Sequence, residues 1–270
     1  MNRSLRRGIA TLSVIAACAA AAATALAGAG SSTVKDTESL PIGVGNTQVG
    51  SAKATCPKGT LPAPAGLSVS DGANSTVLGL STSGRVVKAK LGNYSVASHT
   101  ITSIAYCSHT GGVKVRSATI RSGSSAKQRV TASCKDDERL LYGGFKLPST
   151  TDIYLSSLKK KGQSKWIVGV LSFQSGQKVK AYAYCSQDAP RTTTKSKSYT
   201  VPDEQTASAT PKCPKGKVAI GGGYKSQVTV SDEFGLLRGF ERAGRGWKTT
   251  VRDDNGEIRP PKVTAYAYCA

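Results

Sequence analysis

Lys178-Val179-Lys180-Ala181-Tyr182-Ala183-Tyr184-Cys185 alternates from end to end. Alternation sustained over eight residues is the pattern of a β-strand with two unlike faces. It sets Tyr182 and Tyr184 on one face and Ala181, Ala183 and Cys185 on the other. The phrase is not unique. Ala265-Tyr266-Ala267-Tyr268-Cys269 repeats it near the end of the chain, and Ser103-Ile104-Ala105-Tyr106-Cys107 gives an earlier version. Each copy closes on a cysteine, and each closing cysteine has an opening partner upstream. Cys56 and Cys107 are 51 residues apart, Cys134 and Cys185 are 51 apart, and Cys213 and Cys269 are 56 apart. Ten residues after each opening cysteine stands a glycine (Gly66, Gly144, Gly223), followed by Leu67, Phe145 or Tyr224. A supersecondary unit repeated three times is the simplest reading.

If Cys18 leaves with a signal peptide, six of the seven cysteines remain, and they allow 15 connectivities. Tandem repetition selects Cys56–Cys107, Cys134–Cys185 and Cys213–Cys269, on the premise that each unit folds alone. Closing a loop of about 50 residues stabilises a unit by roughly 4 kcal/mol in the chain-entropy view, and domains this short often need such a staple. Zinc is excluded by spacing, because the chain has no Cys-x-x-Cys and no histidine in the second and third units. No metal site and no cofactor is expected.

The remaining periodicity is also that of strands. Trp166 to Leu171 and Trp247 to Val251 read as strands, and Asp254-Asn255-Gly256-Glu257 is a hairpin-turn signal. No window carries a helical stripe. The expected fold is all-β: three tandem antiparallel sandwich or barrel-like units of about five to seven strands, each with one internal disulfide. The units are drawn at 38–108, 117–186 and 198–270, with residues 28–37 as a flexible lead. The joints are rich in Thr, Ser, Gly and Lys. The first unit has diverged, with Pro62, Ala63, Pro64 and Ala65 where the third reads Val218 to Gly222, and no tryptophan matching Trp166 and Trp247.

Cys213-Pro214-Lys215-Gly216, Gly221-Gly222-Gly223-Tyr224, Gly246-Trp247 and Ala265-Tyr266-Ala267-Tyr268-Cys269 together resemble repeats of exported actinobacterial proteins with a Cys-Pro-x-Gly, Gly-Gly-Gly, Trp and Tyr-x-Tyr-Cys framework. The resemblance is best in the third unit. Lys135-Asp136-Asp137 replace Pro-x-Gly in the second, and the first keeps one framework glycine. It implies export and a β-rich fold and carries no activity with it.

Residues 1–27 read as a signal peptide. Arg3, Arg6 and Arg7 precede an uncharged run from Gly8 to Ala23, and Ala25-Leu26-Ala27 supplies small residues for cleavage. Ile15-Ala16-Ala17-Cys18 offers a second route, lipidation of Cys18 and anchoring at the cell surface. No later segment is apolar enough to span a bilayer.

Chemistry-bearing constellations are sparse. Only His99 and His109 exist, so a histidine-based triad has little to draw on, and a surface pair is the simpler reading. The acid doublets Asp136-Asp137-Glu138, Asp203-Glu204, Asp232-Glu233 and Asp253-Asp254 point to opposite strand faces and make poor acid/base pairs. Asp253, Asn255 and Glu257 lack the rest of a calcium loop. Gly221-Gly222-Gly223 is followed by strand-like residues and not by a helix, which favours close backbone approach over a phosphate cradle. No catalytic residue is assigned. Tyr182, Tyr184, Tyr266 and Tyr268 form either a glycan-stacking platform or part of a packed core, and Ile104 in the equivalent place favours packing.

Charge is the firmest signal. The 270 residues hold 37 Lys+Arg against 16 Asp+Glu, a net charge of +21. Loss of the three leader arginines leaves +18, of which residues 111–190 carry +9. Lys159, Lys160, Lys161 and Lys165 cluster in what reads as one loop, and Lys212, Lys215 and Lys217 surround the opening of the third unit. Such a protein attracts polyanions. Export makes anionic cell-envelope polymers or glycans the expected partners, and no specific nucleic-acid motif is present. Lysines that merely keep a Ser/Thr-rich protein soluble and blunt its strand edges are the alternative. The leading expectation is a secreted, non-enzymatic protein associating with the envelope or extracellular polyanions. A carbohydrate-binding module and a hydrolase with acids drawn from several units are the competitors.

Overall fold

The computed structural model describes residues 31–43, 47–109, 111–124, 126–149, 152–227, 235–254 and 260–270. The segment expected to be a signal peptide, Cys18, and Asn255, Gly256 and Glu257 of the expected turn lie outside the described residues, as do Asp232 and Glu233. Eighteen strands and no helix are found there. The first unit supplies β1 (Ser32–Leu40), β2 (Gln48–Thr55), β3 (Leu61–Val69), β4 (Ser75–Ser83), β5 (Val86–Asn93) and β6 (His99–Ser108). The second supplies β7 (Lys114–Arg121), β8 (Ala126–Ser133), β9 (Arg139–Lys146), β10 (Ile153–Lys161), β11 (Lys165–Ser172) and β12 (Lys178–Ser186). The third supplies β13 (Thr193–Thr200), β14 (Thr206–Ala209), β15 (Ala219–Ser226), β16 (Gly235–Ala243), β17 (Gly246–Asp253) and β18 (Lys262–Cys269). Disulfides join Cys56–Cys107, Cys134–Cys185 and Cys213–Cys269, with Cα–Cα separations of 5.5, 5.7 and 5.6 Å.

The unit boundaries start earlier than the sequence suggested. Residues 32–37 are not a flexible lead but most of β1, paired with β6 along its whole length. Likewise β7 and β13 begin at Lys114 and Thr193, inside segments that read as connectors. These are edge strands, largely exposed, and a strand with polar side chains on both faces has the composition of a linker. Lysine, serine and threonine there guard an open edge.

The units do not close on themselves. One six-stranded sheet runs β1-β6-β3-β16-β17-β14, a second β2-β5-β4-β9-β12-β7, and a third β13-β18-β15-β10-β11-β8. Every sheet therefore takes three strands from one unit and three from another. We call them the 1/3, 1/2 and 2/3 sheets after their contributing units. Each unit forms a corner where two sheets meet, and the three sheets enclose one shared core. The result is a three-sided prism. The expectation that each unit folds alone is replaced by mutual completion.

The joint between units is short and built the same way three times. Two residue pairs hold it: Ser68–Gly239 and Leu67–Phe240, Lys146–Gly79 and Phe145–Leu80, Lys225–Ser157 and Tyr224–Leu158. A Cβ at Gly66, Gly144 or Gly223 would overlap the carbonyl oxygen of Phe240, Leu80 or Leu158, respectively. The glycine ten residues past each opening cysteine thus admits the neighbouring unit's backbone. Two residues beyond the last pair, the strands part and a tyrosine fills the gap. The Arg242 and Lys160 N–H groups donate to the Oη of Tyr106 and Tyr268 at 2.7 and 2.6 Å. Thr82 N–H donates to Tyr184 Oη, which donates in turn to the Thr82 carbonyl at 3.2 Å. Burial pushes the phenols of Tyr106 and Tyr184 up to about 12, so both stay neutral at ordinary pH.

Tryptophan and glycine are matched inside units. Trp166 and Trp247 lie where a Cβ on Gly143 or Gly222 would stand. The first unit has Val87 and Ala65 in the equivalent places, both buried. Its joint recovers an aromatic partner from elsewhere, since Tyr142 stacks on Tyr184 with centroids 4.4 Å apart. Gly143→Ala should destabilise the protein by about 2 kcal/mol through overpacking and be nearly neutral in a Trp166→Val background. Denaturant unfolding of the single and double variants measures this coupling; equal costs in both backgrounds would refute the matched pair.

Candidate basic surface

Strand alternation decides which lysines reach solvent together. On β5, Val87, Ala89 and Leu91 are buried in the core, and Lys88 and Lys90 lie on the opposite face. On β12, Val179 and Ala181 face the core, and Lys178 and Lys180 face outward. Register then places like charges directly opposite: Lys53 with Lys88, Lys146 with Lys180, and Arg121 with Lys178. Lys90 and Lys146 flank Gly79 from either side. Like charges in opposed positions destabilise a sheet, yet the outer face of the 1/2 sheet has three such pairs. Among the described residues no ion pair joins any of these cations to a carboxylate. Lys180 lies over the Tyr182 ring, 5.1 Å from its centroid. Arg121, Lys146, Lys178 and Lys180 line a shallow groove with Thr119 and Gln177.

The 2/3 sheet has its own groove, lined by Lys127, Arg129, Lys225, Ser156 and Ser157. Ser226 lines it too, and its buried hydroxyl has no hydrogen-bond partner among the described residues. Lys159 borders this groove; burial lowers its ammonium pKa, and the charges of Lys225, Arg129 and Lys161 lower it further. The outer face of the 1/3 sheet differs. Glu241 stands opposite Lys248, and Arg252 bridges Asp71 at 3.3 Å and Asp254 at 2.7 Å.

The lysines singled out in the sequence divide accordingly. Lys159 and Lys161 belong to the 2/3 face but sit on β10, not in a loop, and the β10–β11 turn is only Gly162 to Ser164. Lys165 opens β11 and stands opposite Lys161. Lys160 leaves the group. It points to the core side, where its Nζ donates to the carbonyl of Leu140 at 3.2 Å and to Thr192 Oγ1 at 2.8 Å. Burial, aided by Arg139, lowers it to about 8. Lys212, Lys215 and Lys217 lie between β14 and β15, with Lys212 and Lys215 exposed and Lys217 half-buried. The sequence reading missed Lys53, Lys88, Lys90, Lys146, Lys178, Lys180 and Arg121. The available signal was Lys-x-Lys at 88–90 and 178–180, which on a strand means two charges on one face.

Tyr184 and Tyr268 are fully engaged between units and offer no stacking surface; Tyr182 and Tyr266 are half-buried. His99 is not a surface residue. It is buried, with Nε2 3.1 Å from the Ala73 carbonyl and Nδ1 3.3 Å from Ser70 Oγ, while His109 is exposed. The glycine run behaves as close-approach backbone, Gly222 under Trp247 and Gly223 against Leu158. The buried carboxylates with named partners serve arginines. Asp254 accepts from Arg238 Nη2 at 3.1 Å and from the Asn74 N–H at 3.0 Å, tying the third unit to the first. Glu138, 1% exposed, is gripped by Arg116 at 2.8 Å and by Lys114 at 3.5 Å. Among the described residues no helix is long and apolar enough to cross a membrane, and no cluster of three metal-ligating side chains occurs. No protein-family model matches the chain, and no curated protein matches it.

The Arg116 hydrogen bond, with help from the Lys135 N–H, holds the Glu138 carboxyl down to about 2. A depressed carboxylate stabilises the fold above its unfolded value near 4.5 and ceases to do so as pH falls through 2. Thermal midpoints should fall between those values. Glu138→Gln should start lower at pH 7 and show a shallower decline; an unchanged acid limb would contradict this assignment.

Proposed function

We propose that this chain is an exported, non-enzymatic protein that associates with anionic polymers of the cell envelope or extracellular space through its basic outer surface. The observation that carries the reading is the 1/2 face, where three like-charged cross-strand pairs persist with no ion pair to a carboxylate among the described residues. Solubility alone needs dispersed charge of mixed sign, and edge protection needs lysines only on edge strands. Lys88, Lys90, Lys146 and Lys180 sit on interior strands, where neither explanation applies. An anion laid over them turns a standing repulsion into attraction.

The alanine-rich leader, the three disulfides and the resemblance to exported repeat proteins support the location. Free secretion and a lipid anchor at Cys18 both put the basic surface in the same compartment. The glycan-platform reading loses two of its four tyrosines to the joints between units.

Binding to linear polyphosphate and to isolated anionic wall polymer should be strong at low salt and fall steeply as salt rises. A combined Lys88→Gln, Lys146→Gln and Lys180→Gln variant should lose about tenfold or more in affinity at low salt and gain thermal stability as the repulsion is relieved. Fluorescence anisotropy with labelled polyphosphate measures the first and calorimetry the second. Absence of binding by the parent protein at low salt would end the proposal.

A further inference from the structure

The threefold repetition supplies an internal comparison, because every surface position occurs three times. Registers place Thr119 of β7 in the position held by Thr37 on β1 and Ser198 on β13. Two residues on, where each unit turns from one sheet towards the next, stand Arg121, Ser39 and Thr200. Across the corner, Arg129 of β8 corresponds to Ser51 and Ser208. Two residues before these stand Lys127, Val49 and Thr206. At these four positions only the corner of the second unit carries cations on both of its edge strands; the first unit has its own, Lys35 and Lys53, farther from the turn along β1 and β2.

The corner of the second unit connects the two grooves. Arg121 lies in the groove of the 1/2 face and Lys127 in the groove of the 2/3 face, and β8 begins five residues after β7 ends. Followed outward, the cations run Lys146, Lys180 and Lys178 to Arg121, then Lys127 and Arg129 to Lys225. Their strands are β9, β12, β7, β8, β11, β10 and β15, neighbours in the two sheets apart from the corner itself. At about 4.8 Å between strands, six steps make a path of roughly 30 Å.

Resting on the polyanion reading above, we infer that the two grooves are one site, and that its ligand is a flexible linear polyanion bent round the corner of the second unit. Shape limits the ligand as charge does. A flat anionic membrane reaches one face of a prism at a time. Duplex DNA, with a persistence length of about 500 Å, does not fold over an edge of this size. A single-stranded polyphosphate or a phosphodiester-linked polymer does. Lys160, Arg116 and Lys114 take no part, the first being held by internal acceptors and the others by Glu138.

The test uses the whole mature chain, tripolyphosphate, linear polyphosphate of about twenty units, and vesicles of phosphatidylglycerol. Calorimetry gives stoichiometry and affinity. Three variants are compared: Lys146→Gln with Lys180→Gln on one face, Arg129→Gln with Lys225→Gln on the other, and Lys248→Gln on the 1/3 face as control. Unfolding midpoints confirm that each is folded. One long polyphosphate should bind per protein, and each two-residue variant should weaken that single event about tenfold. Each should also lower the log–log salt slope by roughly 1.4, at about 0.7 per phosphate contact. Lys248→Gln should change neither. Tripolyphosphate, too short to round the corner, should bind far more weakly than the long chain. Two long chains per protein, each sensitive to one face only, would overturn the inference and leave polyanion binding intact. So would vesicles that bind as tightly as long polyphosphate and respond to one face alone. No binding of any probe would remove the polyanion reading itself.

Discussion

The fold depends on a collision that glycine avoids. At each of three joints the backbone of one unit approaches another so closely that a side chain on Gly66, Gly144 or Gly223 would strike a carbonyl oxygen. Only two ladder pairs fit before the strands part, and a tyrosine hydroxyl then caps the N–H left exposed. An unpaired N–H in a buried place costs of the order of 1–3 kcal/mol, so these contacts bear on stability as well as on shape. The disulfides act elsewhere. They tie a corner of the prism internally, while glycine and tyrosine tie corner to corner.

Much of this was legible in the chain. Alternation identified strands and their faces, and cysteine spacing identified the staples. The pairing of units was not legible, for a physical reason. Alternation specifies which face a residue occupies but not which strand lies beside it, and near-copies of one unit offer nearly equivalent partners. Gly144 and Tyr184 were visible as repeated residues, yet nothing local says that they meet Leu80 and Thr82, more than sixty residues upstream. The edge strands were misread because their polar composition is what an open edge needs and also what a linker has. The basic surface was half legible. A run such as 159–161 draws the eye, but on a strand its middle member points inward, as Lys160 does. Spaced pairs such as Lys178 and Lys180 contribute more to one surface than a contiguous triplet.

The threefold repeat holds two kinds of residue. The joint glycine and tyrosine recur in all three copies, because each has the same geometric task. Outward positions differ from copy to copy. One face has settled its charges into Glu241 opposite Lys248 and Arg252 between two aspartates, and two faces have not. A symmetric scaffold thereby carries an asymmetric surface, at no expense to the core.

The ring closes between β3, residues 61–69, and β16, residues 235–243. Synthesis runs from the N-terminus, so β3 is made long before β16. The first unit therefore emerges with a bare ladder of amide and carbonyl groups whose mate, in the third unit, is made only later. Until then that ladder is open to any other strand, including one from a second molecule, and pairing over such a sequence distance is slow. The interval between the first unit and the third is thus when this protein is most exposed to misassembly.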